Sequence, residues 1–107
     1  MDLDLLRTLL VLADEGNMTR AATRLHLTQP AVSAQLRRLE EAVGQPLFER
    51  SRRGLTLTES GELFLGYARR ALETVAQGKR ALMELEGLSR GSLSIGGGAT
   101  ATTYLLP

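Results

Sequence analysis

A chain of 107 residues that is 43% apolar and 23% charged has room for one small, mainly helical domain and an appendage, because domains usually span about 50 to 250 residues. It contains no cysteine, which excludes disulfides and every metal site or nucleophile built on a thiolate. The apolar run from Leu9 to Ala13 is too short to span a membrane, so we expect a cytoplasmic protein.

The formal net charge of +1 conceals an uneven distribution along the chain. Residues 1–17 carry one arginine and four carboxylates, whereas residues 18–58 carry seven arginines and three glutamates. The remaining residues hold five charges of each sign. The surplus of positive charge in the middle stretch indicates a polyanionic partner, because such a partner responds to a local patch rather than to the total charge.

Apolar residues at helical spacing predict three short helices in the first part of the chain. The first includes Leu3 to Ala13, and the second is capped by Asn17 and ends near His26. Thr28 is a favourable cap for the third helix. Pro30 falls in the first turn of that helix, where its missing N–H would have no intrahelical acceptor.

The third helix is predicted to be amphipathic, with one apolar stripe turned toward a core. That stripe contains Val32, Leu36, Leu39 and Val43. Away from the stripe lie small or polar residues, with Gln29 at the leading end of the helix. These residues are Gln29, Pro30, Ser33, Ala34 and Arg37.

Residues 47–58 predict a two-stranded hairpin, because Leu55 and Leu57 alternate with polar residues after a turn that is closed by Gly54. Arg52 and Arg53 would lie at its tip. An isolated hairpin is marginally stable, so we expect this one to pack against the helices.

Residues 59–88 predict a long helix with heptad spacing. Its seam contains Phe64, Ala68, Ala71, Val75, Gly78, Leu82 and Leu85. The seam could pack against its own domain. However, about thirty helical residues exceed what so small a domain can cover, so we expect a homodimer.

Residues 89–107 change in character, since a short alternating strand after Gly91, a glycine run and a helix start can be read there. So short a segment cannot bury a core. We therefore expect a hinge followed by the truncated start of a larger domain.

A short helix, a tight turn and a second helix with a polar leading end are typical of the helix-turn-helix motif that binds DNA, here at about residues 18–37. In the major groove the Gln29 amide can pair with adenine, and the Ser33 hydroxyl can donate or accept. Pro30 and Ala34 can contact a thymine methyl group or allow close approach. We expect the arginines outside this surface to contact phosphates, or the minor groove in the case of the hairpin tip. The phosphate-binding candidates are Arg24, Arg37, Arg38 and Arg50, and the minor-groove candidates are Arg52 and Arg53.

Each of these residues also has a structural alternative. Gln29 and Ser33 are ordinary first-turn residues in many helices, and Arg37 and Arg38 can pair with nearby glutamates. The long helix could itself be the functional part of a protein-interaction module. RNA binding is less favoured, since the chain has two Phe, two Tyr and no Trp for base stacking.

Catalysis is not expected. The chain has one histidine, His26, which we interpret as a helix-end or packing residue. No second histidine, cysteine or glycine-rich phosphate loop accompanies it, so we expect neither an enzyme nor a cofactor or metal site.

Three segments in order resemble the N-terminal part of LysR-type transcriptional regulators: LADEGNMTRAATRLH, TQPAVSAQLRRLE and PLFERSRRGLTLTESG. The resemblance is continuous over about residues 2–61. It implies a winged helix-turn-helix domain over residues 1–58, with the hairpin as the wing, followed by a dimerising linker helix over residues 59–88. Family members bind dyad-symmetric, often A/T-rich promoter sites and activate or repress bacterial genes.

By the family's pattern, Gln29, Pro30 and Ser33 match positions that face bases. Thr28, Arg37 and the wing arginines match positions near the DNA backbone or minor groove. Ala34 departs from the family in degree, because this position often carries a longer side chain there.

The expected partners are double-stranded DNA and a second copy of the chain, with a tetramer of the intact protein as an open alternative. Whole members are far longer, so we expect this chain to be a fragment. A small-molecule inducer is then expected only for the full-length protein.

Overall fold

Four helices and one hairpin make up residues 1–95, which are the residues that the computed structural model of the chain describes. In chain order they are α1 (Leu3–Glu15), α2 (Met18–Leu25), α3 (Gln29–Val43), β1 (Phe48–Ser51), β2 (Gly54–Leu57) and α4 (Glu59–Ile95). The predicted fold class is confirmed: three helices, a two-stranded wing and a long helix. One compact unit spans Met1–Leu72, and a second begins at Glu73.

The helix ends follow local capping chemistry. The Asn17 side chain accepts a hydrogen bond from the N–H of Arg20 at 2.9 Å, and the Thr28 hydroxyl accepts one from the N–H of Ala31 at 3.2 Å. His26 ends α2 in the left-handed conformation, with φ 58°. Both predicted caps and the helix-end role of His26 are confirmed.

The core of the first unit is assembled from apolar stripes of several elements. Its largest fully buried side chains are Leu9, Leu12, Val32, Leu39 and Leu47. Leu36 is also buried, and Val43 is partly buried against the same cluster, so the predicted inward stripe of α3 is confirmed. Each fully buried leucine contributes about 1.5–3 kcal/mol relative to an exposed one.

The hairpin of β1 and β2, here called the wing, is attached to the helices through its second strand. The strands are antiparallel, with Phe48 opposite Leu57 and Arg50 opposite Leu55. The N–H of Leu55 donates to the carbonyl oxygen of Gly16 at 3.0 Å. Gly54 has φ 113°, and a Cβ there would lie 2.3 Å from the same oxygen. Only glycine therefore permits this close approach of the wing to the end of α1.

The first strand of the wing is attached to α3 and α4. The Glu40 carboxylate accepts hydrogen bonds from the N–H groups of Leu47 and Phe48, at 2.7 and 3.3 Å. A Cβ on Gly61 would lie 2.1 Å from the carbonyl oxygen of Leu47, so α4 passes directly over the start of the wing. These contacts fix the wing beside α3.

Helix α4 differs from the prediction at its end. It continues to Ile95 rather than ending near Gly87, so the predicted short strand after Gly91 is wrong where the structure describes it. A single glycine weakens a helix by only about 1 kcal/mol relative to alanine, and four alternating residues are an ambiguous strand signal. The predicted glycine run and helix start at residues 96–107 lie outside the described residues.

The first part of α4 belongs to the first unit, which corrects part of the predicted dimer seam. Ala68 is only 1% exposed, and Phe64 and Ala71 pack against the core of their own unit. Ala68 therefore has no surface for a second chain. The heptad spacing correctly identified a side of the helix that packs against other residues. The same spacing occurs whether those residues belong to the same chain or to a second one.

Among residues 1–95, none of the helices combines the length and the hydropathy that a membrane span requires.

Candidate nucleic-acid interface

The outer side of α3 is open to solvent at its leading end. Thr28, Gln29, Pro30 and two arginines are exposed, while Ser33 and Ala34 are half-buried. The two arginines are Arg37 and Arg38. This arrangement follows from the helical rotation of 100° per residue, which turns these positions outward once Val32, Leu36 and Leu39 are buried. The chain itself leaves the predicted binding surface uncovered.

A partly buried hydrogen bond joins α3 to α1. The hydroxyl of Thr8, which is 3% exposed, donates to Oε1 of Gln35. This pair was not predicted, although Thr8 interrupts an otherwise apolar side of α1. The bond restricts the rotation of α3 and so holds its outer side in one orientation.

Arg37 and Arg38 are not neutralised by the neighbouring glutamates. Among residues 1–88, no ion pair involves either arginine. Glu40, the closest candidate along the helix, directs Oε2 to the wing backbone instead. Both guanidinium groups are therefore available for an anionic ligand.

Arg24 behaves differently from the expectation that it contacts phosphate. Its guanidinium forms ion pairs with Asp14 at 2.5 Å and with Glu15 at 3.1 Å. Hydrogen bonds to Asp14 and then Glu15 raise the pKa of Arg24 above its ordinary value. Because two carboxylates of α1 already pair with this charge, Arg24 links α2 to α1.

Arg50 joins the wing to α3. Its Nη2 donates to Oγ of Ser33 at 3.2 Å. Hollows of about 140 and 200 Å³ lie on the two sides of Arg50, the first toward Arg37 and the second toward Gln29. Arg50 was predicted as a phosphate ligand and Ser33 as a base-reading residue, but the contact between them was not predicted.

The tip of the wing presents two exposed arginines. Arg52 and Arg53 lie between the strands, and the N–H of Arg53 donates to Oγ of Ser51 at 3.2 Å. Neither forms an ion pair among residues 1–88. Their predicted position at the tip is confirmed, and their predicted contact with DNA stays a prediction.

In the second unit, the rest of the predicted seam on α4 is exposed. Val75, Leu82 and Leu85 are 37%, 67% and 38% exposed, respectively. An exposed apolar stripe on a helix is a typical protein interface. The structure therefore leaves these three residues available for a second chain.

The first unit carries a further apolar surface that the sequence analysis missed. Leu63 and Tyr67 are 68% and 58% exposed and line a groove of about 280 Å³ with Phe64 and Leu47. The guanidinium of Arg70 lies 4.4 Å from the centre of the Tyr67 ring. Leu63 and Tyr67 are four residues apart, a helical spacing that could have indicated this surface from the sequence.

The sequence profile of the lysR family of bacterial regulatory helix-turn-helix proteins matches residues 3–62. The chain belongs to the LysR family. The match covers α1, α2, α3, the wing and the start of α4. Members of this family are transcription regulators rather than enzymes, and this part of the LysR chain is a DNA-binding domain.

Solved structures and a curated relative support the assignment of this LysR chain. The "CbnR_DBD-DNA complex" has a TM-score of 0.73 and 41% identity, and the match covers 78% of this chain and 98% of that one. The "BenM_DBD/catB site 1 DNA Complex" has a TM-score of 0.76 and 34% identity, with 80% and 97% covered. A probable RuBisCO transcriptional regulator of Gracilaria tenuistipitata var. liui is 45% identical over 105 residues, which is 98% of this chain and 34% of the relative. The chain thus spans about a third of the length of the curated relatives that it matches.

Proposed function

We propose that this LysR chain binds specific sequences in double-stranded DNA as a dimer, with α3 in the major groove and the wing tip in the adjacent minor groove. The observation that supports this most directly is the outer side of α3, which is exposed and holds two arginines without an ion pair among residues 1–88. DNA carries one negative charge per about 1.7 Å of helix axis, so such a surface is matched to it.

The leading end of α3 would read the bases. The exposed Gln29 amide can pair with N6 and N7 of adenine, and Ser33 can bond to a base edge. Pro30 and Ala34 can contact a thymine methyl group without blocking the groove. A short side chain at Ala34 leaves room there, so we expect fewer direct base contacts from this turn than from the first.

The surrounding residues would supply affinity without choosing the sequence. Thr28, Arg37 and Arg38 flank the reading surface and are exposed. We propose that they contact the DNA backbone, and that Arg52 and Arg53 enter the minor groove. Arg50 can reach a phosphate only in addition to, or in place of, its bond to Ser33.

A second copy of the chain would cover the exposed stripe of α4. Val75, Leu82 and Leu85 follow the heptad spacing, which supports helix-to-helix packing. A symmetric dimer would present two copies of α3, so we propose dyad-symmetric promoter sites. We further propose the boundaries 1–58 and 59–88 for the DNA-binding and linker segments, and, because α4 continues to Ile95, a hinge after that residue within 89–107.

The structural relatives support this function. The structures matched at 41% and 34% identity are described as complexes with DNA, and the match covers 98% and 97% of their chains. For a protein of the full length of these relatives, about a third of which this chain covers, we propose an inducer-binding domain and a dimer or tetramer. The interaction-module alternative is favoured only if the exposed α4 stripe forms a dimer that does not bind DNA.

Gel-shift titration of the chain on a pool of random DNA duplexes, at several salt concentrations, tests the proposal. We expect binding that weakens steeply as the salt concentration rises, because phosphate contacts release counterions. The double variant Arg37→Ala/Arg38→Ala should weaken it. As a control, Arg7→Ala removes an arginine that is already paired with Asp4 at 2.8 Å on α1 and should have a smaller effect. Binding by the wild-type chain that is absent or insensitive to salt would contradict the proposal.

A further inference from the structure

The side chain of Arg50 lies on the inner side of the wing. Successive residues of a strand alternate between its two sides, so Arg50 shares a side with Phe48, which is buried against the core. Its cross-strand partner Leu55 is also buried. Arg50 therefore starts from the side of the wing that packs on the helices, and it extends past the edge of the core to α3.

Hydrogen bonds from the wing backbone near Arg50 fix the wing to α3 and to the end of α1. Glu40 of α3 accepts hydrogen bonds from Leu47 and Phe48 just before it, and Leu55 opposite it donates to Gly16. The distance from this strand to α3 is thus set by bonds that do not involve the Arg50 side chain. The bond from Arg50 to Ser33 therefore joins two segments whose separation other hydrogen bonds already fix.

The bond determines what the Ser33 hydroxyl can offer to a ligand. A guanidinium group has only donors, so Oγ of Ser33 must be the acceptor. One lone pair is then occupied by a cation, which polarises the O–H group and makes it a stronger donor and a weaker acceptor. Ser33 keeps its second lone pair, but that lone pair is now a weaker acceptor, so the hydroxyl acts on a ligand mainly through its hydrogen.

The four bases differ in whether the edge that they present in the major groove can accept a hydrogen bond from such a donor. In the major groove, guanine presents O6 and N7, adenine presents N7 and thymine presents O4, all of which accept hydrogen bonds. Cytosine presents only its N4 amino group, which donates. A hydroxyl that acts mainly as a donor therefore disfavours cytosine at the position that it faces.

We propose that Arg50 is a positioning residue that biases the Ser33 hydroxyl toward donating a hydrogen bond and so selects against cytosine at one base position of the bound site. The wing thereby influences sequence choice through α3, without a base contact of its own. The inference depends on the proposed function, because it requires α3 to lie in the major groove.

Selection from a library of randomised DNA duplexes tests this with the full chain and four variants: Arg50→Lys, Ser33→Ala, their combination, and Arg7→Lys. Lysine keeps the charge of Arg50, but its Nζ ends one bond short of Nη2, so it should lose the bond to Ser33. We expect the wild-type chain and Arg7→Lys to deplete cytosine at one position at least tenfold. Arg50→Lys and Ser33→Ala should each lose this depletion at that same position, and the double variant should lose no more than either single variant.

The position at which cytosine depletion is lost separates this role from a simple phosphate contact, which favours no base, and the salt dependence checks that the charge contribution of residue 50 is unchanged. We expect Arg50→Lys to keep the slope of log binding constant against log salt concentration, since its charge is unchanged. Cytosine depletion that survives in Arg50→Lys, while the melting temperature shows a folded protein, would overturn the inference and leave the proposed function standing. No salt-dependent binding by the wild-type chain would overturn both.

Discussion

Helices α3 and α4 have the same kind of apolar stripe, but the two stripes meet different surroundings. On α3, Val32 and Leu39 are at most 1% exposed, because they lie in the core that α3 forms with α1 and α2. On α4 beyond the first unit, Leu82 is 67% exposed and Leu85 38% exposed. Periodicity therefore identifies the residues that share one side of a helix, whereas the surrounding fold decides whether that side is covered.

The largest effect should come from removing one leucine from each stripe. Leu39→Ala leaves a cavity in the core and should lower the free energy of unfolding by about 2–5 kcal/mol. Leu82→Ala removes an exposed side chain and should lower it by less than about 0.5 kcal/mol in samples dilute enough to be monomeric. Urea unfolding measures both values, and equal losses would contradict the difference in burial.

A charge on the exposed stripe tests whether a second chain covers it. Leu82→Asp would place a carboxylate in the proposed dimer seam and should raise the dimer dissociation constant more than about tenfold, which corresponds to 1.4 kcal/mol. Met83→Asp is the matched control, because Met83 is 71% exposed and adjacent but lies off the heptad seam. Sedimentation equilibrium measures both constants. A similar change in the two variants would argue against this seam.

A substitution on the exposed side of α3 should change which DNA sequences the chain prefers, whereas one on the buried side should change the stability of the fold. Gln29→Ala should cost about 1–3 kcal/mol of binding free energy at one base pair and little at the others. Competition binding on a selected duplex and its single-base variants measures this. Gln77→Ala on α4 serves as the control and should leave every position unchanged. Equal loss on all sequences would contradict base reading by Gln29.

The smallest effects concern two arginines that the charge count alone treats as equal. Arg52→Ala should weaken binding to all duplexes and lower the salt slope by about one unit for each protomer. Arg24→Ala should change the slope less, because Asp14 and Glu15 already pair with Arg24. Binding measured over a range of salt concentrations distinguishes them, and identical slopes would show that the ion pairs of Arg24 do not matter.

The fold could be predicted well from the sequence because its signals are local. Asn17 and Thr28 cap helices through bonds that reach three residues along the chain, and Gly54 closes the wing through its own backbone. The inward stripe of α3 follows from a period of 3.6 residues. Such signals fail where they are weak, as at Gly87, where α4 continues for eight more residues.

The candidate site could be predicted only in part. The residue types on the outer side of α3 and at the wing tip were identified, because helix and strand periods assign residues to sides. The sequence could not predict the bond from Arg50 to Ser33 or the ion pairs of Arg24 with α1, because from the sequence both arginines look like exposed cations. A local sequence pattern does not distinguish an arginine that is available to bind a ligand from one that already forms an ion pair or a hydrogen bond within the protein.

The sequence by itself determined where the helices and the wing begin, which residues share each side, and that positive charge gathers in residues 18–58. Only the tertiary structure decided which of those residues are free, because the deciding contacts join distant positions. Thr8 and Gln35 are 27 residues apart, Ser33 and Arg50 are 17 apart, and Asp14 and Arg24 are 10 apart. Chain-local preferences extend over about one helical turn, so contacts of this length exist only once the elements have packed together.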